Sequence, residues 1–110
     1  MISADAIRGY VDLIVLSLLR EGPSYPYELA QRIAAVGGGE YAIKQTTLYS
    51  AVKRLEAGGL VTSYPGVSPT GKPRSYYRIT EAGLAHHLAK VEEWRSTRSL
   101  VDRFIEGATP

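Results

Sequence analysis

Apolar residues recur at helical spacing through the first half of the chain. A first helix is predicted from Ala4 to Arg20, with one apolar stripe formed by Ile7, Val11, Ile14 and Leu18. Further leucines lie on its other sides, which indicates that more than one face is covered. A second helix is predicted from Pro26 to the glycines at 37–39, and a third from about Thr46 to Ala57.

The pattern changes to β-favouring residues after the third helix. Two such runs, LVTSY at 60–64 and SYYRI at 75–79, flank a loop rich in proline and glycine, so they predict a β-hairpin. Thr80 fits the N-cap of a last helix that reaches about Glu106. The predicted order is three helices, two strands and one long helix, which is an α+β fold.

The hairpin loop contains the stretch GVSPTGKP at 66–73. It matches the phosphate-binding pattern G-x-x-x-x-G-K-[ST] everywhere except at the last position, where Pro73 replaces the metal-binding hydroxyl. A phosphate-binding loop opens a helix, because the helix N-terminus holds the phosphate. Here a predicted strand follows instead. We therefore interpret the stretch as the tip of a hairpin that carries Lys72 and Arg74, with no nucleotide cofactor.

The composition is that of one folded domain. Of the 110 residues 45% are hydrophobic and 22% charged, and the lack of cysteine excludes disulfides and thiolate metal sites. The longest apolar run, residues 11–19, is too short to span a bilayer. These features predict a cytoplasmic protein without a membrane partner.

Positive charge is concentrated in the middle of the chain. Residues 44–78 contain six basic side chains and one acidic one, a net charge of +5, whereas the remaining residues carry seven basic and ten acidic ones, a net charge of −3. Such a segment is either an ordinary solvated face or the binding surface for a polyanion such as nucleic acid.

The third helix has two chemically different faces. Its core face is formed by Leu48, Val52 and Leu55, with Ala51 at the edge. The opposite face carries hydroxyl and cationic side chains, namely Thr46, Ser50, Lys53 and Arg54. This helix is either a solvent-exposed amphipathic helix or the recognition helix of a helix-turn-helix. The basic hairpin directly downstream favours recognition, since a helix-turn-helix followed by a β wing is the winged-helix arrangement.

Motifs along the chain, from about Tyr10 to Ile105, resemble those of PadR-type transcriptional regulators. They are YPYEL at 25–29, TLY at 47–49, KRLE at 53–56, GLV at 59–61, YYRIT at 76–80 and Gly83. One departure is Pro26, where the family usually has glycine. The resemblance implies a winged helix-turn-helix DNA-binding domain at residues 1–80 and a C-terminal dimerisation helix at 81–110. It also implies a repressor of the smaller PadR branch, which binds double-stranded DNA at palindromic operators.

DNA contacts are then expected from three segments. The wing would contribute Lys72 and Arg74, and the start of the second helix would reach phosphates through Tyr25 and Tyr27. The third helix would supply the largest set, namely Thr46, Thr47, Tyr49, Ser50, Lys53 and Arg54.

The last helix carries more apolar surface than a small winged-helix body can cover. Its apolar residues include Leu84, Leu88, Val91, Trp94, Leu100, Val101, Phe104 and Ile105. This excess predicts a two-fold homodimer, with recognition helices about 34 Å apart.

Trp94 is either a plain interface residue or part of a ligand site. It lies fourteen residues after Thr80, a spacing that is similar to multidrug-sensing members of the family, in which paired tryptophans sandwich planar aromatic compounds in a pore at the dimer centre. Those relatives carry an acid one turn later, whereas this chain has Arg98, so specificity for cations does not carry over. Aligned with those relatives, this chain would also line the pore with six further residues, namely Asp12, Leu13, Leu16, Ser17, His87 and Val91.

Two other classes of function remain as alternatives. A winged helix can serve as a protein-interaction module without DNA binding, although the charge on its face argues against this, because interface cores avoid charge. An enzyme is less favoured, since no nucleophile–base pair or carboxylate cluster occurs at useful spacing. No metal site is expected either: His86 and His87 are adjacent and project about 100° apart on a helix.

Overall fold

The computed structural model describes residues 2–107 and has the predicted order of elements. These are α1 (Ala4–Ile7), a 3-10 turn (Arg8–Tyr10), α2 (Val11–Leu19), α3 (Pro26–Val36), α4 (Gln45–Ala57), β1 (Val61–Val67), β2 (Pro73–Ile79) and α5 (Glu81–Ile105). The predicted α+β winged helix-turn-helix with a long C-terminal helix is confirmed. Position 1 and positions 108–110 of the predicted domains lie outside the described residues.

The predicted single helix from Ala4 to Arg20 is wrong. A 3-10 turn at Arg8–Tyr10 divides it, and the backbone of Tyr10 (φ −117°, ψ 1°) leaves the α-helical region. Gly9 lies inside this turn, and glycine weakens a helix because it loses more backbone freedom on folding. The apolar stripe was continuous in sequence, so periodicity alone did not reveal the break.

One hydrophobic core joins α2, α3, α4 and the sheet. The core face predicted for α4 is confirmed, because Leu48, Ala51 and Val52 are fully buried and Leu55 is 2% exposed. The core is completed by Val11, Val15, Leu16, Leu18, Leu19, Leu29, Ile33, Val61 and Tyr77. Pro26 occupies the first turn of α3, where its missing N–H leaves no backbone carbonyl unpaired.

The two strands form an antiparallel sheet that is longer than predicted. Its register runs from Val61 opposite Ile79 to Val67 opposite Pro73, so Pro65 lies within a strand. Both strands of a two-stranded sheet are edges, and proline is tolerated there. Gly66 lies under the ring of Tyr76, where an added Cβ would come within 2.4 Å of the ring. We call β1, β2 and their connecting loop at 68–72 the wing.

The beginning of α5 is fixed to the end of α4. Thr80 caps α5 as predicted, because its Oγ1 accepts a hydrogen bond from the Gly83 N–H (3.0 Å). The same hydroxyl donates to the Gly59 carbonyl (2.8 Å), and the Thr80 N–H donates to the Leu60 carbonyl (3.0 Å). The α5 helix then extends away from the body, giving the molecule a longest dimension of 59 Å. Within residues 2–107, no helix is long and apolar enough to cross a membrane.

Candidate nucleic-acid interface

The polar side of α4 faces solvent along its whole length. Six residues form this surface, which we call the reading face: Thr46, Thr47, Tyr49, Ser50, Lys53 and Arg54. All six are exposed, and the apolar side of the same helix packs on α2, α3 and β1. The structure therefore brings together every α4 residue that was predicted to touch DNA. The contacts themselves remain a prediction.

The loop of the wing is a closed turn that presents Lys72. The Ser68 N–H donates to the Lys72 carbonyl (2.8 Å), and the Lys72 N–H donates to Ser68 Oγ (3.1 Å). Gly71 has a φ of +87°, a conformation that favours glycine, and its N–H donates to the Ser68 carbonyl (2.8 Å). Pro73 begins a strand and not a helix, so the loop lacks the helix N-terminus of a phosphate-binding loop.

Arg74 lies between two tyrosines at the junction of the wing and α3. Its guanidinium carbon is 5.5 Å from the centre of the Tyr25 ring and 5.7 Å from that of Tyr27, within the range of cation–π attraction. Its Nε is buried and has no hydrogen-bond partner among the described residues. Of the two tyrosines predicted to reach phosphates, Tyr27 is half-exposed, whereas Tyr25 is buried and packs edge-on against Tyr76.

The wing, α3 and α4 meet around one open cleft of about 420 Å³. Its walls are formed by Tyr25, Pro26, Tyr27, Gln45, Tyr49, Pro73, Arg74, Ser75 and Tyr77. The three segments predicted to contact DNA are thus neighbours in space, and Gln45 is a polar residue of the cleft that the sequence patterns missed. Its position at the first residue of α4, before the periodic face begins, explains the omission.

Lys53 remains cationic on the reading face. The phenol groups of Tyr77 and then Tyr49 raise the pKa of Lys53 above its ordinary value. Its ammonium lies 5.4 Å from the centre of the Tyr49 ring and 3.6 Å from the Glu56 carboxylate. A hydrogen bond from the Ser63 hydroxyl lowers the pKa of Glu56, which keeps that carboxylate ionised. At neutral pH this part of α4 therefore holds one cation and one anion.

Arg54 forms an ion pair with Asp12 of α2. The Arg54 Nη2 lies 2.5 Å from Asp12 Oδ1, and Nε lies 3.3 Å from Oδ2. The hydrogen bond to Asp12 raises the pKa of Arg54. Asp12 was predicted to face a ligand pore and Arg54 to face DNA, so the structure connects two residues that were assigned to different sites.

The residues predicted to line a ligand pore lie where α2 packs on α5. The Trp94 indole, 37% exposed, meets the Tyr10 ring edge-on, with centroids 4.9 Å apart. Leu13 and Val91 are partly covered, and Arg98 is exposed and lies 3.8 Å from Asp102. Trp94 therefore keeps part of its surface free within one protomer.

Leu16 and His87 are buried within a single protomer, and Ser17, which contacts His87, is half-buried. Leu16 is fully buried and His87 is 5% exposed. The His87 Nε2 lies 2.8 Å from Ser17 Oγ, and that hydroxyl donates to the Leu13 carbonyl (2.7 Å). Burial and then the charge of Arg20 lower the pKa of His87, so its neutral form is favoured. Little of the Leu16 and His87 side chains is therefore left for a pore between protomers, whereas Ser17 is half-buried.

A small cleft of about 160 Å³ between α2 and α5 includes residues that the sequence did not single out for this site. It is lined by Gly9, Tyr10, Asp12, Leu13, Leu16, His86, Lys90 and Glu93. His86, and not His87, is the histidine that faces this cleft. Helical periodicity could not separate the two, because which side of α5 meets α2 depends on the packing of the whole domain. Among residues 2–107 no cluster of three or more His, Asp or Glu side chains could hold a metal ion.

The far half of α5 carries exposed apolar side chains. Leu100 and Val101 are 47% exposed, and Phe104 and Ile105 are 76% exposed. Exposed apolar residues concentrated on one long helix are typical of a surface that another chain covers.

These elements, a basic wing next to an exposed α4 and a long α5, define a winged helix-turn-helix protein with a C-terminal helix. Residues 15–88 match the model of the transcriptional regulator PadR-like family. The chain belongs to this family of transcriptional regulators, as its motifs predicted.

Solved structures and a sequence relative agree with this assignment. A transcriptional regulator from Clostridium thermocellum is 48% identical and covers 96% of this chain and 99% of its own, with a TM-score of 0.86. A PadR family regulator from Eggerthella lenta is 35% identical over 94% of this chain and 88% of its own, with a TM-score of 0.82. An uncharacterised protein from Lysinibacillus sphaericus is 38% identical and covers 97% of this chain and 98% of its own.

Proposed function

We propose that this protein is a transcriptional repressor that binds a palindromic DNA operator as a homodimer. The observation that carries the proposal is the meeting of α3, the reading face and the wing around one open cleft. A recognition helix in the major groove with a basic wing along the phosphates would use these surfaces together. The net charge of +5 over residues 44–78 supports a polyanionic partner.

The homodimer is supported by the uncovered apolar surface of α5. Its five most exposed large apolar residues lie at 88, 100, 101, 104 and 105, and a second copy would remove them from water. A two-fold axis near this surface would present two reading faces to one duplex. Half-sites one helical turn apart, about 34 Å, would then be read together.

DNA binding is tested by its dependence on salt. Wild-type protein is used to select a duplex from a random library, and the dissociation constant for the fluorescein-labelled duplex is measured from 50 to 300 mM NaCl. We expect log Kd to rise steeply with log salt, because phosphate contacts release counterions. Lys53→Ala and Lys72→Ala should each weaken binding and reduce the slope by about 1 if each side chain neutralises one phosphate.

Arg95→Ala supplies the matched control. Arg95 lies on α5, is exposed, and pairs with Glu92 at 3.6 Å, so its removal takes away one positive charge outside the reading face and wing. Its slope should equal that of the wild type. A slope near zero for the wild-type protein would refute DNA binding and favour a protein-interaction module.

Relief of repression by a planar aromatic ligand is the second part of the proposal. Trp94 supports it, since Tyr10 meets the indole edge-on and part of the ring stays exposed near the surface that would join two copies. A planar compound stacked on two such indoles would change the angle between the DNA-reading units.

Fluorescence provides the test, because Trp94 is the only tryptophan. Proflavine is titrated into the protein without DNA, and N-acetyltryptophanamide controls for light absorbed by the dye. We expect saturable quenching that exceeds this control. Quenching equal to the control would refute the ligand site and leave DNA binding intact.

A further inference from the structure

The ion pair between Arg54 and Asp12 links the reading face of α4 to a side chain of α2. Asp12 is in the first turn of α2 and Arg54 in the last turn of α4, 42 residues apart in sequence. Both remain in contact with solvent, with side chains 37% and 58% exposed. The pair therefore lies at the surface, where Arg54 can still reach a ligand.

The two hydrogen bonds occupy only one edge of the guanidinium. A guanidinium carries five N–H donors in a planar fork, and Asp12 accepts from Nε and from one N–H of Nη2. Both N–H groups of Nη1 and the second one of Nη2 remain. Of these, one N–H of Nη1 and the second N–H of Nη2 point side by side from the end of the fork, a geometry that matches two neighbouring acceptors, as on a guanine edge (O6 and N7) or on a phosphate.

The neighbouring surface is suited to DNA. Arg54 lines an open cavity of about 620 Å³ together with Thr47 and Ser50 of the reading face. Two further cations, Arg8 and Lys44, line the same cavity. The rest of the cavity lining is largely apolar and includes Ile7, Val11 and Tyr41, so only its hydroxyl and basic side chains favour an anionic, acceptor-rich partner.

We propose that Asp12 is a positioning residue for DNA recognition, which holds one edge of Arg54 so that the free end of the guanidinium binds a pair of DNA acceptors. The physical reason is entropic. An unrestrained arginine side chain loses rotamer entropy when it binds DNA, and a guanidinium that is already held loses less of it. The inference rests on the proposed DNA binding and adds to it a residue that does not touch DNA.

A double-mutant cycle tests the inference on the full-length protein. Kd is measured by fluorescence anisotropy for wild type, Asp12→Ala, Arg54→Ala and the double variant, using the duplex selected by the wild type. We expect Arg54→Ala to weaken binding about 5- to 100-fold and Asp12→Ala about 3- to 10-fold. The double variant should be no weaker than Arg54→Ala alone, because Asp12 acts through Arg54.

Asp5→Ala is the matched charge control. Asp5 is exposed on α1 and pairs with Arg8 at 2.5 Å, so its removal takes away one negative charge close to the same cavity. A lost negative charge alone should leave DNA affinity unchanged or raise it, whereas loss of Asp12 should lower it. Thermal unfolding and the dimer mass are recorded for each variant to show that the fold is retained.

Repeating the selection from the random library identifies the acceptor. If Arg54 reads a guanine, Arg54→Ala and Asp12→Ala both lose preference at the same base position. If it binds a phosphate, both keep the base preference, and Arg54→Ala reduces the salt slope by about 1. A purely structural role of Asp12 would not produce the shared loss of preference at one base position, and in the phosphate case the double-mutant cycle separates the two roles.

Two results overturn the inference without affecting DNA binding. One is an Asp12→Ala protein that binds as tightly as the wild type, which would mean that Asp12 contributes nothing, or more tightly, which would mean that it holds Arg54 away from DNA. The other is an equal loss from Asp12→Ala with and without Arg54. If the wild-type protein binds no duplex in a salt-dependent way, the proposed function fails together with the role of Asp12.

Discussion

Gly83 lies in the first turn of α5, directly against the turn that follows α4. A Cβ at this position would stand 2.1 Å from the Leu60 carbonyl oxygen and 2.7 Å from Ile79 Cγ1. The oxygen belongs to the main chain, so α5 would have to move by about 1 Å to restore ordinary contact. That movement would disturb the two hydrogen bonds that Thr80 makes to Gly59 and Leu60.

The magnitude for Gly83→Ala follows from opposing effects. Alanine in a helix interior is favoured over glycine by about 1 kcal/mol. Overpacking costs about 1–3 kcal/mol, and each of the two weakened hydrogen bonds contributes about 1 kcal/mol. We expect a net loss of about 2–4 kcal/mol of unfolding free energy, which lowers Tm by roughly 10–15 °C.

Thermal unfolding followed by circular dichroism measures this loss. All variants are measured at one protein concentration, because the proposed dimerisation would make Tm depend on concentration. Gly9→Ala is the matched control, since the same methyl group there meets nothing within 4 Å and Gly9 has a negative φ. Its Tm should equal or exceed that of the wild type. A Gly83→Ala protein as stable as the wild type would refute the described packing of α5 on Leu60.

Three further predictions concern α5. Thr80→Ala should cost about 2 kcal/mol of unfolding free energy, because it removes both the N-cap and the hydrogen bond to the Gly59 carbonyl, whereas Thr80→Ser should keep both; equal Tm values for the two variants would contradict this. The wild type should lose stability as pH falls from 7.5 to 5.5, because the pKa of His87 lies below its ordinary value of 6.5 when folded, so the unfolded chain takes up the proton first. His87→Gln should reduce this loss of stability, whereas His86→Gln should retain it. If plots of stability against pH for His87→Gln and the wild type superimpose, His87 is not the group responsible. If the proposed homodimer forms through α5, Phe104→Asp should give a monomer in light scattering while Arg103→Ala stays dimeric, and an unchanged mass for Phe104→Asp would exclude Phe104 from the interface.

Much of the fold could be predicted because local and global preferences agree in most elements. In α4, Leu48, Val52 and Leu55 recur at helical spacing, and all three enter the core. The cap at Thr80 and the proline at the start of α3 are local signals that act within a few residues. The break at Gly9 was missed because the apolar stripe continues through it.

The candidate site was less predictable, because its geometry depends on contacts between distant segments. Ser17 and His87 are 70 positions apart, and nothing in either local sequence indicates that they meet. The position of Arg74 between Tyr25 and Tyr27 depends on where the wing folds back on α3. Sequence patterns identified which side chains are exposed on α4, whereas the partners of those side chains required the tertiary structure.

The attachment of α5 at Thr80 gives the molecule a lever arm. Twenty-five residues of helix measure about 37 Å, so a tilt of about 10° at the base displaces the far end by about 6 Å. Conversely, a contact that fixes the far end of α5 around Phe104 also fixes the tilt of α4 and its reading face. The reason is that α4 and α5 are both hydrogen-bonded to Gly59 and Leu60. In the proposed DNA-binding dimer, substitutions at the far end of α5 would thus change the preferred half-site spacing, with no change in any residue of the reading face.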